Sequence, residues 1–66
     1  MAGVPFSKRE WEVVDLLLQA KSNKQIAQIL HISESTVEYH LQRIYARINV
    51  ESRAEAIVKL GKTPIP

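Results

Sequence analysis

Apolar residues recur along this chain at the three- and four-residue spacing of helices, in four segments separated by short polar turns. The longest stripe, over 34–48, consists of Val37, Leu41, Ile44 and Ile48. Positions spaced in this way fall within a narrow wedge of an α-helix, so one face of the segment is predicted to be buried. No segment alternates apolar and polar residues as a strand would. The pattern therefore predicts an all-α fold of four helices.

Serine residues mark the predicted helix starts. Ser7 with Glu10, and Ser52 with Glu55, each fit a capping box, in which the hydroxyl and the later carboxylate both accept from backbone amides. Phe6 is expected to pack on the first turn as a hydrophobic staple. The caps and stripes together predict helices from the Ser7 cap to about Gln19, and over about 24–30, 34–48 and 53–60.

The turns between these helices are short and polar. The second helix is predicted to follow an N-cap at Ser22 or Asn23, and the third to follow Ser33. Gly61 is expected as the C-cap of the fourth helix, before an irregular tail over 61–66 that contains two prolines. Residues 6–60 are thus predicted to form the domain.

Composition narrows the class of protein. A chain of 66 residues forms one domain with a thin core, because it buries only about 60% of its unfolded surface. The absence of cysteine excludes disulfides and thiolate metal sites, and it fits a cytoplasmic location. The apolar stretches are too short for a membrane span, and residues 1–5 lack the apolar core of a signal peptide. A net charge of +2 permits a nucleic-acid partner without requiring one.

The second and third predicted helices match the helix-turn-helix unit, which places a helix in the DNA major groove. The unit spans residues 23–42, with a turn of about three residues. Ala27 is small where the two helices must cross closely, and His31 occupies a turn position where the backbone can need positive φ. A generic pair of antiparallel helices could show the same apolar spacing, so the geometry alone leaves both interpretations open.

Specific short strings distinguish these interpretations. They are SNKQIA at 22–27, IS at 32–33, TV at 36–37, HL at 40–41, IY at 44–45, RE at 9–10 and RAEA at 53–56. In this combination the chain resembles the LuxR/GerE family of bacterial regulators over about residues 6–60. The resemblance implies a compact four-helix, helix-turn-helix, DNA-binding domain of transcription regulators. It also implies that the third helix reads DNA and that the fourth makes the dimer contact.

The resemblance carries further expectations and two departures. It implies an ion pair between Glu10 and Arg53 that ties the first helix to the fourth. Such domains usually follow a receiver or ligand-binding domain, so an attached N-terminal signalling domain is an expected partner. Reading positions that are often Lys or Arg in the family are Glu38 and Gln42 here, and the Gly common near the end of the first helix is Ala20.

The polar face of the third helix supplies the candidate DNA contacts. Gln42 can pair with adenine, Glu38 can accept from cytosine N4, and Tyr39 can pack on a thymine methyl or reach a phosphate. These three are predicted to read bases, although Glu38 would be repelled by phosphate and so either reads a base or turns away. The residues better suited to phosphates are Lys24, Ser35, Thr36, Arg43 and Arg47.

The fourth predicted helix has apolar residues on two sides. One side is expected to pack on the core, which leaves Ala54 and Val58 one turn apart on another face. We expect this face to pair two copies of the domain around a two-fold axis on double-stranded DNA. Exposed small apolar residues are also normal on any surface, so this face alone does not require a homodimer.

No set of residues suggests an enzyme. The chain has no nucleophile with a base, no glycine-rich phosphate loop and no metal ligand set around His31 and His40. We therefore predict no catalytic residue, no metal and no cofactor. The predicted function is sequence-specific DNA binding in bacterial transcription regulation. The alternative is a helical protein-interaction module that docks on the transcription machinery, for example on RNA polymerase.

Overall fold

The computed structural model describes residues 6–62, which fold into four helices. They are α1 (Lys8–Leu18), α2 (Asn23–Leu30), α3 (Glu34–Ile48) and α4 (Arg53–Leu60). No strand occurs within residues 6–62, so the predicted all-α fold is confirmed. The bounds of α3 and α4 agree with the prediction, whereas α1 ends one residue earlier and α2 begins one residue earlier. Most of the predicted irregular tail lies outside the described residues, which include only 61 and 62 of it.

A serine is the N-cap of every helix. Ser7, Ser22, Ser33 and Ser52 each accept a hydrogen bond from the backbone amide three residues later. The capping box of Ser7 is confirmed, since its own amide donates to Oε1 of Glu10 at 3.0 Å. The ring of Phe6 lies edge-on to that of Trp11, with centroids 5.0 Å apart, as expected for a hydrophobic staple.

The two other capping boxes differ from the prediction. Ser22 forms a complete box with Gln25, where only an N-cap was predicted. The box predicted for Ser52 is incomplete. The Glu55 carboxylate accepts from the amide of Glu51 at 3.2 Å, one residue before the cap.

The core lies where the four apolar stripes meet. The largest fully buried side chains are Val13, Val14, Leu17, Ile26, Val37, Ile44 and Leu60. Helix α3 packs against each of the other three helices, so its four stripe residues are buried as predicted. This packing fixes α3 through one face and leaves the opposite face to solvent. Within residues 6–62 no helix combines the length and apolar character needed to cross a bilayer.

Three helices end in a left-handed residue that is not glycine. Ala20, His31 and Asn49 have φ values of 63°, 59° and 59°. The amides that follow these turns donate to carbonyls five residues back, from Lys21 to Leu16 and from Val50 to Tyr45. These bonds close the helix ends as in a Schellman motif. Gly61, by contrast, caps α4 in the right-handed region.

Replacing Ala20 by glycine should stabilise the domain. The left-handed conformation costs an L-residue about 1–2 kcal/mol, and glycine has no such penalty. Glycine also has more conformational entropy in the unfolded chain, which lowers stability by about 0.5–1 kcal/mol. We expect Ala20→Gly to raise the free energy of unfolding by about 0.5–1 kcal/mol, measured by urea titration of the helical circular dichroism signal. The matched control is Gln19→Gly, where φ is −83° and glycine should only lower stability. Equal losses from both changes would contradict the strain at Ala20.

Candidate nucleic-acid interface

The turn between α2 and α3 holds the two helices in a fixed relation. His31 adopts the left-handed conformation that was expected for this position, and the amide of Ile32 donates to the carbonyl of Ala27 at 3.0 Å. Ala27 is 6% exposed where the helices approach each other. Ile26 and Val37 are fully buried between them. The helix-turn-helix unit therefore presents α3 as a supported helix with one open face.

This open face of α3 carries all three side chains predicted to read bases. Its exposed residues are Ser35, Glu38, Tyr39, Gln42, Arg43 and Ala46. Tyr39 is 57% exposed, an unusual state for so large an apolar ring. We call these six residues the outward face of α3.

The structure separates the predicted base-reading side chains into two groups. Glu38 and Gln42 line a shallow cleft of about 280 Å³ whose other walls are Asn23, Leu41, Tyr45 and Arg53. Tyr39 instead lies under Arg43, whose guanidinium carbon is 5.5 Å from the centre of the ring. Its ring also meets the edge of His40, with the centroids 5.7 Å apart. The sequence predicts these residues on one surface, but not that Glu38 and Gln42 line a cleft while Tyr39 contacts Arg43.

The residues predicted to contact phosphates lie on the outward face or beside it. Lys24 is exposed in the first turn of α2, and Ser35 is exposed in the first turn of α3. Thr36 is half-buried, and its hydroxyl lies 2.8 Å from Oγ of Ser33, the N-cap of α3. Arg43 and Arg47 extend along the other side of α3, where both meet a carboxylate of α1.

That carboxylate is Glu10, and its partners correct the prediction. Oε1 of Glu10 lies 3.0 Å from Nη1 of Arg47, and Oε2 lies 3.7 Å from Nε of Arg43. The expected ion pair with Arg53 is wrong, because Glu10 faces α3 rather than the start of α4. The ion pairs tie α1 to α3.

Arg53 forms hydrogen bonds to the segment just before α2 and to its first residue. Nη1 of Arg53 donates to Oδ1 of Asn23 at 2.9 Å, and Nη2 donates to the carbonyl oxygen of Lys21. The first residue of α4 therefore holds the turn that precedes α2. The sequence does not predict this contact, because a backbone carbonyl as acceptor leaves no signal in the side chains.

The Glu10 carboxyl is only 3% exposed. Burial raises its pKa, but the hydrogen bond from the Ser7 amide and the positive charges of Arg47 and Arg43 outweigh burial and hold the pKa below its ordinary value. The group is therefore ionised at neutral pH. A buried carboxylate of this kind is stable only with such partners.

The open side of α4 forms a second surface. Ala56 and Leu60 are buried against the core, whereas Ala54 is exposed and Val58 is 61% exposed. An open groove of about 510 Å³ runs along this side and is lined by Asn49, Val50, Ala54, Glu55, Val58, Lys59 and Lys62. Nζ of Lys59 donates to the carbonyl oxygen of Ile48 at 2.6 Å, which joins the groove to the end of α3.

Among residues 6–62 no group of three His, Cys, Asp or Glu side chains could hold a metal ion.

Known proteins are similar to this chain in sequence and in fold. Residues 4–60 match the family model for bacterial regulatory proteins of the luxR family. The spore germination protein GerE of Bacillus subtilis is 44% identical over 54 residues, which are 82% of this chain and 73% of that protein. The transcriptional regulator MalT of Vibrio campbellii is 41% identical over 54 residues, again 82% of this chain but only 6% of MalT.

Solved structures of related proteins have the same four-helix architecture. A response regulator, ChrA, of a heme-sensing two-component system matches with a TM-score of 0.80 at 43% identity, over 85% of this chain and 28% of that one. The transcription factor GerE matches with a TM-score of 0.77 at 35% identity, over 86% of this chain and 85% of that one. The chain thus spans most of GerE but a small part of the longer regulators.

Proposed function

The chain belongs to the luxR family of bacterial regulatory proteins, and we propose that it binds double-stranded DNA sequence-specifically with α3 in the major groove. As a helix-turn-helix domain of transcription regulators it is not an enzyme. One observation carries the proposal. Helix α3 is held by its buried face on α1, α2 and α4, while a continuous polar face with an exposed tyrosine points away from the core. A rigid helix with an open polar face is what readout in the major groove requires.

We assign base readout to three side chains of the outward face. Gln42 can form two hydrogen bonds with adenine, and Glu38 can accept from the amino group of cytosine. Tyr39, which lies outside the cleft that these two line, can pack on a thymine methyl group. Readout by a carboxylate favours cytosine and penalises close phosphates, so Glu38 gives this domain a preference different from that of relatives with a basic residue there.

Phosphate contacts orient α3 without reading the sequence. We assign them to five residues that lie on the outward face or beside it: Lys24, Ser35, Thr36, Arg43 and Arg47. The side chains of Arg43 and Arg47 are 50% and 34% exposed, so each can offer N–H groups to a phosphate while it contacts Glu10. Arginine suits this double role because its guanidinium carries five donors.

We further propose that two copies pair on DNA through Ala54 and Val58 of α4. The residues are exposed, and the groove beside them gives a second copy room to approach. The area is small, so pairing is expected mainly on DNA rather than in dilute solution. In this proposal residues 6–60 are the DNA-binding domain, and RNA polymerase and an attached N-terminal signalling domain are its further partners.

Titration of a fluorescent duplex with the protein tests the proposal directly. At low salt, micromolar protein should raise the fluorescence anisotropy of a random duplex, and selection from a randomised duplex pool should yield a preferred half-site. Failure to bind any duplex under these conditions would contradict the proposal.

Substitutions on the outward face should separate readout from positioning. Tyr39→Ala and Gln42→Ala should each lower the preference for particular base pairs by about 1–3 kcal/mol. Lys24→Ala should weaken binding to all sequences nearly alike, because a phosphate contact carries no sequence information. The measurement is the ratio of dissociation constants for the preferred half-site and for single-base variants of it. Equal and sequence-independent losses from all three changes would contradict the assigned roles.

A further inference from the structure

We infer that Glu10, which lies on α1 and outside the outward face of α3, is a positioning residue for Tyr39 and acts on it through Arg43. The inference rests on the proposed function, since it assigns Glu10 an effect on base preference. It names a chain of three side chains: the buried carboxylate, the guanidinium beside it and the aromatic ring under that guanidinium.

The first member of the chain is immobile. Glu10 is 3% exposed, and its Oε1 accepts a hydrogen bond from the Ser7 amide at 3.0 Å and forms an ion pair with Nη1 of Arg47, also at 3.0 Å. Its backbone amide donates to the Ser7 hydroxyl at 3.2 Å. The carboxylate is thus fixed by a helix cap on one side and by α3 on the other.

The second member connects this fixed charge to the reading surface. Nε of Arg43 lies 3.7 Å from Oε2 of Glu10, and its guanidinium carbon lies 5.5 Å from the centre of the Tyr39 ring. Exposed arginine side chains adopt many rotamers, and an anchored end reduces that freedom. The carboxylate therefore selects the rotamers of Arg43 that cover the ring.

The third member is Tyr39, whose ring orientation is restricted by Arg43. Tyr39 is 57% exposed, and the described contacts of its ring are with Arg43 and with the edge of His40. A base-reading side chain that is already held in its bound orientation loses less conformational entropy on binding. Phosphates would draw Arg43 away from the ring, and the charge of Glu10 opposes that movement.

Glu10→Gln tests the inference with little change of shape. Glutamine retains the oxygen that caps the Ser7 amide, as Gln25 does for Ser22 in this same chain, but it lacks the charge that holds Arg43. We expect the preference at the base pair read by Tyr39 to fall about two- to fivefold, the factor expected from one exposed cation–π contact. The preference at the base pair read by Gln42 should be unchanged, and affinity for random duplex should not fall. Equal losses at both base pairs, or no loss at either, would overturn the inference.

Two further variants separate positioning from simple support of the fold. Arg47→Gln removes the other partner of Glu10 and should weaken all duplexes alike while it retains the preference set by Tyr39. Arg43→Met leaves the Glu10–Arg47 pair intact and should reproduce the loss of Tyr39 preference, whether or not Glu10→Gln folds well. In a Tyr39→Ala background, Glu10→Gln should change that preference no further. Additive losses there would contradict an action through Tyr39.

A measurement without DNA distinguishes failure of this inference from failure of the proposed function. Side-chain protons of Arg43 should show an upfield NMR shift from the Tyr39 ring, and Glu10→Gln should reduce that shift. If the shift changes but no duplex binds, the positioning stands as a structural fact and the proposed function fails. If duplexes bind but the shift is the same in both proteins, the inference is overturned.

Discussion

Raising the salt concentration from about 50 mM to 200 mM should weaken the binding of this domain to duplex DNA about a thousandfold. Each of two paired subunits is expected to neutralise about three phosphates, which gives about six for the complex. Release of the counterions condensed on those phosphates then gives a slope near −5 in a plot of log K against log salt. Because the net charge is only +2, the slope of log K against log salt depends on the positions of the cationic side chains rather than on the overall charge. Anisotropy titrations at several salt concentrations measure it.

Lys24→Ala provides the control for this slope. Loss of one phosphate contact per subunit should make the slope shallower by about one unit per subunit. Gln42→Ala should leave the slope unchanged, because a base contact releases no phosphate counterion. A slope near zero for the unmodified protein would contradict the DNA-binding function and favour a helical module that docks on another protein.

The double substitution Ala54→Glu and Val58→Glu should abolish cooperative binding to two half-sites. Both residues are exposed on α4, and two copies of the helix related by a two-fold axis would bring four carboxylates together beside the groove. Like charges so placed repel each other, and their desolvation adds a further cost. The fold should survive, since the buried side of α4 is unchanged. Gel shifts with an operator of two half-sites, and circular dichroism of the free protein, measure the two effects.

The DNA itself supplies the matched control for this prediction. On a single half-site the double variant should bind nearly as the unmodified domain does, because no second copy is needed there. The two reading helices of a pair should lie about one DNA turn apart, roughly 34 Å. Insertion of half a turn between the half-sites should therefore remove the cooperativity of the unmodified protein too. Undiminished cooperativity in the double variant would exclude α4 as the pairing surface.

The helices could be predicted from sequence because their signals are local. The bounds of α3 and α4 followed from a serine cap at one end and an apolar stripe that stops at the other. The outward face of α3 followed from the same stripe, since a known buried face defines its opposite. Family resemblance then supplied the function that periodicity alone left open.

The partners of charged side chains could not be predicted in this way. Glu10 lies at the spacing of Val13 and Val14 in the stripe of α1, which signals a buried carboxylate in need of a cation. Which arginine supplies that cation depends on how α1 crosses α3 and α4, and sequence spacing carries no information on crossing geometry. The cleft beside Glu38 and Gln42 depends on the same geometry, because Asn23 of α2 and Arg53 of α4 supply two of its walls. The contact of Arg43 with Tyr39 differs, since the two residues are four apart on α3 and that spacing is a local signal.

The four serine caps also bear on how fast the domain forms. Each cap joins a hydroxyl to an amide only three residues away, so every helix start is specified within a single turn of chain. Small helical domains dominated by such short-range contacts fold in microseconds to milliseconds. The domain is therefore expected to recover α3 on that time scale after a transient unfolding.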